Sequence, residues 1–254
     1  MTETIGDVTV TWSPSLVAEV ELHRPPANFF DAALLADIVA AVRRADQHGS
    51  RAIVLCSEGR HFCAGLDFGR SATPGPDDLR TLYDRAEELV DGPLPVVVAV
   101  QGAAIGGGLG LALAGDFRIA SPDSRFSANF ARLGFHHGFG LSVTLPRAVG
   151  HQRALELLLT GRRIDGTEAL RIGLCDGLGD DPRAEAHALA AEIAASAPLA
   201  VRAVRATQRA DLVRSFAVAV EHERNEQLQL VDTDDFREGI DASAHRRDPR
   251  FTGR

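Results

Sequence analysis

Residues 95–116, PVVVAVQGAAIGGGLGLALAGD, contain three kinds of segment that together decide the fold. A β-branched run typical of a buried strand leads through three successive glycines into an apolar segment of helical length. Gly106, Gly107 and Gly108 lack a Cβ atom, so another molecule can approach the main chain closely. The first N–H groups of the following helix lack helical partners and lie at the positive end of its dipole. The stretch therefore predicts a strand, a tight turn and a helix N-terminus suited to an anion or a developing oxyanion.

Glycines in such a turn also serve close packing of strand against helix, so the pattern alone is weak evidence for a ligand. No G-x-G-x-x-G register fits residues 102–115, and all 27 residues counted as Lys or Arg are Arg. A P-loop requires a lysine. An NAD(P)-dependent oxidoreductase is therefore only a distant alternative.

The composition is that of an acidic globular chain. It has 254 residues, 45% of them apolar, and a formal net charge of −8. This length is ample for a sizeable core, and no basic cluster alternates with aromatic residues, which argues against nucleic acid as a partner. The N-terminal residues do not resemble a signal peptide and the apolar runs are too short or interrupted to span a bilayer, so we expect a cytoplasmic protein without a membrane span.

The three cysteines, Cys56, Cys63 and Cys175, are odd in number and show no C-x-x-C spacing. Reduced thiols are therefore expected rather than a disulfide framework. His61 and Cys63 form an isolated H-x-C pair that lacks the further ligands of a zinc site, so no metal site is predicted.

The order of elements predicts an α/β fold with parallel strands, because strand, glycine-bearing loop and helix occur twice in succession. The first strand covers residues 52–56 and leads into HFCAGLD (residues 61–67); the second is the stretch quoted above. A hairpin over residues 8–11 and 16–22 and a helix capped by Asp31 precede them. Polar residues 71–78 predict a flexible loop before a helix from about Leu79. A further strand is expected at residues 117–120 and a long loop over residues 125–140.

The composition shifts to helix formers after residue 181. We expect helices over residues 184–197, 199–209 and 212–231, and therefore a body of residues 1–180 followed by a helical section of residues 181–254.

Two successive strand-to-glycine loops could each aim one main-chain N–H at the same point, which is what an oxyanion on a thioester requires. HFCAGLD and GAAIGGGLGLAL (residues 102–113) resemble the paired oxyanion-hole segments of the crotonase, or enoyl-CoA hydratase/isomerase, family. Three further stretches are similar to segments of the same family. Residues 21–31 resemble the segment that wraps the CoA phosphates, residues 145–176 a recognisable segment later in the family's sequences, and residues 232–251 their C-terminal end.

This resemblance implies a spiral of ββα units with a helical trimerisation section, assembled as a homotrimer or a dimer of trimers. It assigns the oxyanion donors to the N–H groups of Leu66 and Gly107. Coenzyme A would be part of the substrate, with no permanently bound cofactor, and the acyl-CoA is the expected small-molecule partner. The expected CoA-binding residues are Arg24, Ala27, Ala64, Leu66 and Asp67, and Arg246 or Arg247 could also reach CoA.

The chain departs from the family pattern at the two glutamates with which hydratases activate and deliver water. Those positions fall on Gly110 and Phe130, neither of which can move a proton. General acid–base catalysis contributes about 10²–10⁴-fold, so ordinary hydration is not expected. His136 and His137, in LGFHHGFG, are candidate replacements; alternatively one faces solvent and the other packs against glycines.

Two carboxylates on the helix expected from Leu79, Glu87 and Glu88, are weaker candidates, because a carboxylate on an amphipathic helix usually belongs to its solvated face. Four aromatic residues suggest an apolar acyl pocket, although core packing explains aromatics more often. They are Phe30, Phe130, Phe135 and Phe139.

Two hypotheses of function follow. In the first the chain is an enoyl-CoA hydratase/isomerase-like enzyme (hydratase, isomerase, decarboxylase, lyase or thioester hydrolase) that uses the oxyanion hole with His136 or His137 as proton carrier. In the second it is a non-catalytic acyl-CoA-binding or shuttling protein, as Gly110 and Phe130 suggest.

Overall fold

The computed structural model describes residues 1–67 and 75–254; residues 71–74, half of the loop expected at residues 71–78, lie outside the described residues. The strands are β1 Thr2–Ile5, β2 Val8–Trp12, β3 Val17–Leu22, β4 Ala52–Ser57, β5 Val96–Val100, β6 Ala103–Ile105, β7 Phe117–Ala120, β8 Arg125–Ser127, β9 Ile164–Asp165 and β10 Gly177–Leu178. The helices are α1 Ala32–Gln47, α2 Pro76–Val90, α3 Gly107–Ala114, α4 Leu141–Val149, α5 His151–Thr160, α6 Gly166–Arg171, α7 Pro182–Ala195, α8 Pro198–Leu230 and α9 Asp234–Ala244, with a 3₁₀ helix at Asn129–Leu133.

The main sheet confirms the predicted α/β class. In the described part of the chain its seven strands have the order β1-β2-β3-β4-β5-β7-β10. The first three pair antiparallel, and every pairing from β3 to β10 is parallel. Every residue of β4 and of β5 is buried, as expected of parallel strands covered on both faces.

A smaller sheet, in the order β6-β8-β9, was not predicted. β6 is only three residues long and lies between Gly102 and Gly106, both of which have positive φ. Periodicity over so few residues is too short to recognise. β8 and the 3₁₀ helix likewise lie in residues 125–140, so the expectation of an uninterrupted loop there was wrong.

Helix α1 begins as predicted, since the Asp31 carboxylate accepts a hydrogen bond from the Leu34 N–H at 2.8 Å. Helix α2 begins at Pro76, three residues before the expected Leu79. Proline is well tolerated in the first turn of a helix, and the Asp78 carboxylate accepts from the Gly75 N–H at 2.9 Å.

Helix α8 is one helix of 33 residues where two were predicted. No glycine or proline lies between residues 199 and 230, so nothing in the local sequence ends the helix near Ala210. Its buried Arg209 donates to the Asp116 carboxylate at 2.8 Å and ties the helix to the end of α3. Helix α9, which was not predicted, is capped by Thr233, whose hydroxyl accepts from the Phe236 N–H.

Helix α7 packs directly on the parallel sheet. Its buried residues Ala186, Ala190 and Ala194 recur every four positions and share a core cluster with Val54 and Val97. Contacts therefore cross the boundary at residues 180 and 181, and the two-part division stays a prediction. Among the described helices, α8 included, none combines the length and apolarity that crossing a membrane would require.

Candidate functional site

The two glycine-bearing turns lie against each other. The Ile105 N–H donates to the Cys63 carbonyl at 3.0 Å, and the Cys63 N–H donates to the Ala103 carbonyl at 2.9 Å. Gly65 has φ +85°, and a Cβ atom there would lie 2.9 Å from the Ile105 oxygen and 3.2 Å from the Gly107 nitrogen. Only glycine permits this approach, and it brings residues 65 and 107 side by side.

The N–H groups of Leu66 and Gly107 donate to no acceptor within residues 1–67 and 75–254. Gly107 is the first residue of α3, so its N–H points out of the helix at the positive end of the dipole. Gly106, with φ +57°, fixes this turn by donating to the Ser127 carbonyl at 2.8 Å. Two unpaired donors thus flank the junction of the two turns.

A cavity of about 380 Å³ opens at this junction. Its wall is largely apolar and aromatic. The apolar and glycine residues are Phe29, Phe30, Ala64, Gly65, Leu66, Leu82, Ile105, Gly106, Gly107, Phe130, Leu133, Phe135, Gly138, Phe139, Ile240 and Ala244. The polar residues are Asp67, Tyr83, Asn129, Arg163, Gln227 and Ser243. An apolar cavity with a few polar groups is typical of a small-molecule site.

Several sequence-predicted residues meet at this cavity. Ala64, Leu66, Asp67 and Gly107 line it, as do the four phenylalanines expected to form an acyl pocket. Ala27 does not line it, but its carbonyl accepts from the Ala64 N–H at 2.9 Å and so holds that loop.

Arg24 lies outside the cavity wall and is paired with two carboxylates. Its guanidinium lies 2.7 Å from an Asp7 oxygen and 2.9 Å from an Asp31 oxygen. Burial alone would lower the pKa of Arg24, but the hydrogen bonds to Asp31 and Asp7 raise it. A phosphate would therefore have to share this cation with two acids.

Gly110 and Phe130, the two positions at which the resemblance implies missing glutamates, have apolar surroundings in the structure. Gly110 faces Phe139, whose Cβ would lie 2.5 Å from a Cβ atom on residue 110. Phe130 is buried and lines the cavity. Neither position offers a proton carrier.

The structure places both candidate histidines behind the cavity wall rather than in it. The rings of His136 and His137 stack with centroids 4.1 Å apart, and His136 Nδ1 lies 2.7 Å from the His137 carbonyl oxygen. His137 Nε2 lies 2.8 Å from Ser142 Oγ. Burial, reinforced by His136 and His222, lowers the pKa of His137 to about 4. His137 is therefore neutral near pH 7 and a weak base.

Glu87, Glu88 and Arg247 also lie away from the cavity. Glu88 is paired with Arg43 and Arg85, and Arg247 with Glu238 and Asp241. Burial and the charges of Asp84 and Glu221 raise the pKa of Glu87.

Besides Ser243, sequence reasoning missed four polar residues of the cavity: Tyr83, Asn129, Arg163 and Gln227. The Tyr83 hydroxyl donates to Gln227 Oε1 at 2.7 Å, and Gln227 Nε2 donates to the His136 carbonyl at 3.0 Å. These residues come from four separate elements or loops, so no local spacing brings them together.

The described residues contain no group of three or more His, Cys, Asp or Glu side chains placed to hold a metal ion. Burial raises the pKa of Cys63 to about 12, so its thiol stays protonated at neutral pH.

Residues 13–254 match the model of the enoyl-CoA hydratase/isomerase family. The chain belongs to this family. A probable enoyl-CoA hydratase of Bacillus subtilis is 34% identical over 247 residues, which cover 93% of this chain and 95% of that protein. A probable enoyl-CoA hydratase of Rhodobacter capsulatus is 38% identical over 245 residues, which cover 94% of this chain and 95% of that protein.

The fold of this family member agrees with a solved structure. The crystal structure of an enoyl-CoA hydratase from Mycobacterium avium subsp. paratuberculosis matches it with a TM-score of 0.86 and 28% identity, covering 98% of this chain and 100% of that one. The crotonase family and fold expected from the sequence are confirmed.

Proposed function

We propose that this enoyl-CoA hydratase/isomerase-family chain binds an acyl-CoA thioester with the acyl group in the 380 Å³ cavity and the thioester oxygen between the N–H groups of Leu66 and Gly107. The observation that carries the proposal is the contact of the two glycine turns, which leaves these two donors unpaired at one cavity. Relatives named probable enoyl-CoA hydratase support a CoA thioester as the ligand.

Two fixed donors would act on the thioester by stabilising negative charge as it develops on the oxygen. Such stabilisation lowers the cost of forming an enolate at Cα and draws electrons from Cβ of an enoyl group. Neither effect depends on a side chain, so both survive the replacement of glutamate by Gly110 and Phe130.

The reaction we propose is one that does not use the glutamate pair of the hydratases. Apolar Phe130 and Phe139 surround the place where water would be activated. An enzyme of this kind would need a proton carrier from elsewhere, and His136 and His137 remain the proposed candidates. Reaching the substrate would require their loop to move, since neither ring lines the cavity.

A second candidate function, non-catalytic binding or shuttling of acyl-CoA, is favoured by the shortage of proton carriers on the described part of the cavity wall. The only carboxylate on the described part of the cavity wall is Asp67, and the partly buried His137 is held neutral. Such a protein would polarise the thioester without completing a reaction.

The binding proposal is tested with butanoyl-CoA labelled with ¹³C at the carbonyl. We expect saturable binding in calorimetry and a downfield shift of the carbonyl resonance, because two hydrogen bonds polarise the C=O bond. S-butyl-CoA, which lacks the carbonyl, serves as the matched control and should bind more weakly. Equal affinity for the thioester and the thioether, with no shift of the resonance, would contradict the proposed oxyanion hole.

The two functions are separated by turnover. Enoyl-, hydroxyacyl- and malonyl-CoA substrates are incubated with the chain and with its His136→Ala and His137→Ala variants. Turnover that either variant abolishes excludes the non-catalytic function; binding of all substrates without turnover excludes the enzyme. The family resemblance also leads us to propose a homotrimer or dimer of trimers, and light scattering would measure its molar mass. We propose a cytoplasmic location as well.

A further inference from the structure

Two adjacent arginines, Arg162 and Arg163, differ in how their charges are balanced. Arg162 donates to Glu168 and to Glu156, each at 2.7 Å, so two carboxylates neutralise it. Arg163 lines the cavity and forms no ion pair within residues 1–67 and 75–254. Within the described residues, the exposed Arg163 is therefore left without an ion-pair partner at a largely apolar cavity.

Asn129 lies on the same wall, close to the Gly107 donor and to the segment that carries Arg163. Pairing of Phe126 with Ile164 sets β8 beside β9 and brings the end of β8 next to that segment. The Asn129 Oδ1 atom would lie 3.3 Å from a Cβ atom on Gly106, immediately before the Gly107 donor. The Asn129 amide has no hydrogen-bond partner in the described residues, although it lines the cavity.

Three other polar residues of the cavity, Tyr83, Gln227 and Asp67, are already engaged. Tyr83 and Gln227 are hydrogen-bonded to each other, and Gln227 also binds the His136 carbonyl. Asp67 has an interaction of its own. Asn129 and Arg163 therefore have donors available for a ligand in the cavity that the Gly107 N–H also lines.

We infer that the acyl group of the ligand carries a carboxylate, which Arg163 binds with the help of the Asn129 amide. The inference rests on the proposed acyl-CoA function and specifies the class of acyl group. An arginine fork matches the two oxygens of a carboxylate, and such charge-assisted hydrogen bonds are strong beside an apolar wall. An entirely apolar acyl chain would leave both groups unused.

The test compares carboxylated acyl-CoA thioesters with neutral thioesters of equal chain length: malonyl with propanoyl, succinyl with butanoyl, and glutaryl with pentanoyl. Dissociation constants are measured by calorimetry at pH 7. For the best-fitting length we expect the wild-type chain to prefer the carboxylated member by about tenfold or more. Arg163→Gln should remove this preference and leave affinity for the neutral thioester and free CoA unchanged.

Two further variants complete the experiment. Arg163→Lys retains the charge without the fork and should keep part of the preference. Arg214→Gln removes an exposed arginine of α8 whose ion pair with Asp211, at 3.6 Å, is also exposed, and should leave the preference intact.

Three outcomes would overturn the inference. One is a wild-type chain that binds neutral and carboxylated thioesters equally at every length. Another is a preference that persists in Arg163→Gln. The third is a loss of affinity in Arg163→Gln that is equal for free CoA, the neutral thioester and the carboxylated thioester. Such a result would assign Arg163 to a phosphate of CoA. Failure of every thioester to bind would instead contradict the proposed function itself.

Discussion

The Phe139 side chain occupies the space that any side chain on Gly110 would need. A Cβ atom on Gly110 would lie 2.5 Å from Phe139 Cβ and 2.8 Å from its Cγ, and Phe139 is almost fully buried. Phe139 takes φ +60°, an unusual conformation for a side chain of this size, in the turn that leads into α4. An aromatic ring therefore fills the position at which the family resemblance implies a lost hydratase glutamate.

This packing predicts strong coupling between residues 110 and 139. Gly110→Glu alone should lower the free energy of unfolding by about 1–3 kcal/mol or more, because it overpacks the core. Combined with Phe139→Gly, which removes the ring and relieves the positive φ, the loss should be smaller than the sum of the two single losses by at least about 1 kcal/mol. Urea unfolding of the wild type, the two single variants and the double variant measures this coupling. Additive losses of stability would show that the two side chains do not compete for space.

Introducing glutamates at residues 110 and 130 is predicted to increase hydratase activity. Adding Phe130→Glu to the Gly110→Glu/Phe139→Gly variant places carboxylates at both positions to which the family resemblance assigns the hydratase glutamates. We expect hydration of crotonyl-CoA to rise by about 10²-fold over the wild-type chain, the lower end of what general acid–base catalysis contributes. The double variant without Phe130→Glu is the control. An unchanged rate in a folded triple variant would argue that more than the two glutamates is missing.

The close contact at Gly65 predicts that the proposed placement of the two N–H donors tolerates no side chain there. Gly65→Ala forces a Cβ atom to within 2.9 Å of the Ile105 oxygen at a residue with φ +85°, so the two turns must move apart. We expect binding of butanoyl-CoA to weaken about tenfold or more, measured by calorimetry. Gly49→Ala is the matched control, since Gly49 also has positive φ, +77°, but nothing within 4 Å. Equal binding by both variants would contradict the assignment.

Asp116 predicts a large stability effect, because it compensates the buried charge of Arg209. Its carboxylate accepts from Arg209 at 2.8 Å and from Arg205 at 2.9 Å. Asp116→Ala should lower the free energy of unfolding by about 3–5 kcal/mol, since it leaves a buried cation without its partner. Asp211→Ala breaks an exposed pair between α8 and Arg147 and should cost less than about 1 kcal/mol. Comparable losses in denaturant unfolding would refute the distinction.

Glu19 predicts a pH dependence of stability. The hydrogen bond from His187, assisted by Arg183 and opposed by burial, lowers the pKa of Glu19 to about 2, from about 4.5 in the unfolded chain. The unfolded state therefore takes up a proton first on acidification. The stabilisation is fully present above about pH 4.5 and is lost as the pH falls towards 2.

At pH 7 the Glu19→Gln variant should accordingly be less stable than the wild type by roughly 2 kcal/mol, and this gap should narrow as the pH falls from about 4.5 to about 3. Chemical unfolding across this range measures it. Asp248→Asn, which removes a carboxylate that is 97% exposed, is the control and should follow the wild-type curve. A gap that stays constant with pH would contradict the assigned pKa.

Local patterns predicted the elements whose structure depends on neighbouring residues. The Asp31 cap, the buried strands around residues 52–56 and 96–100 and the glycine-led α3 were all readable because caps, β-branched runs and glycine turns act over a few residues. The division of α8 into two helices was wrong because no breaker separated them and propensity varies only weakly along such a run.

By itself the sequence determined the α/β class and the pair of glycine turns, since these follow from hydrophobic periodicity and from positions where only glycine fits. It also determined the family, through the resemblance of HFCAGLD and GAAIGGGLGLAL to segments of known members. Tertiary structure alone decided what surrounds those turns. It placed Phe139 over Gly110, set the two histidines behind the wall and brought Asn129 and Arg163 to the cavity. Such contacts join residues far apart in the chain, and their distances depend on the packing of whole helices and sheets rather than on local pattern.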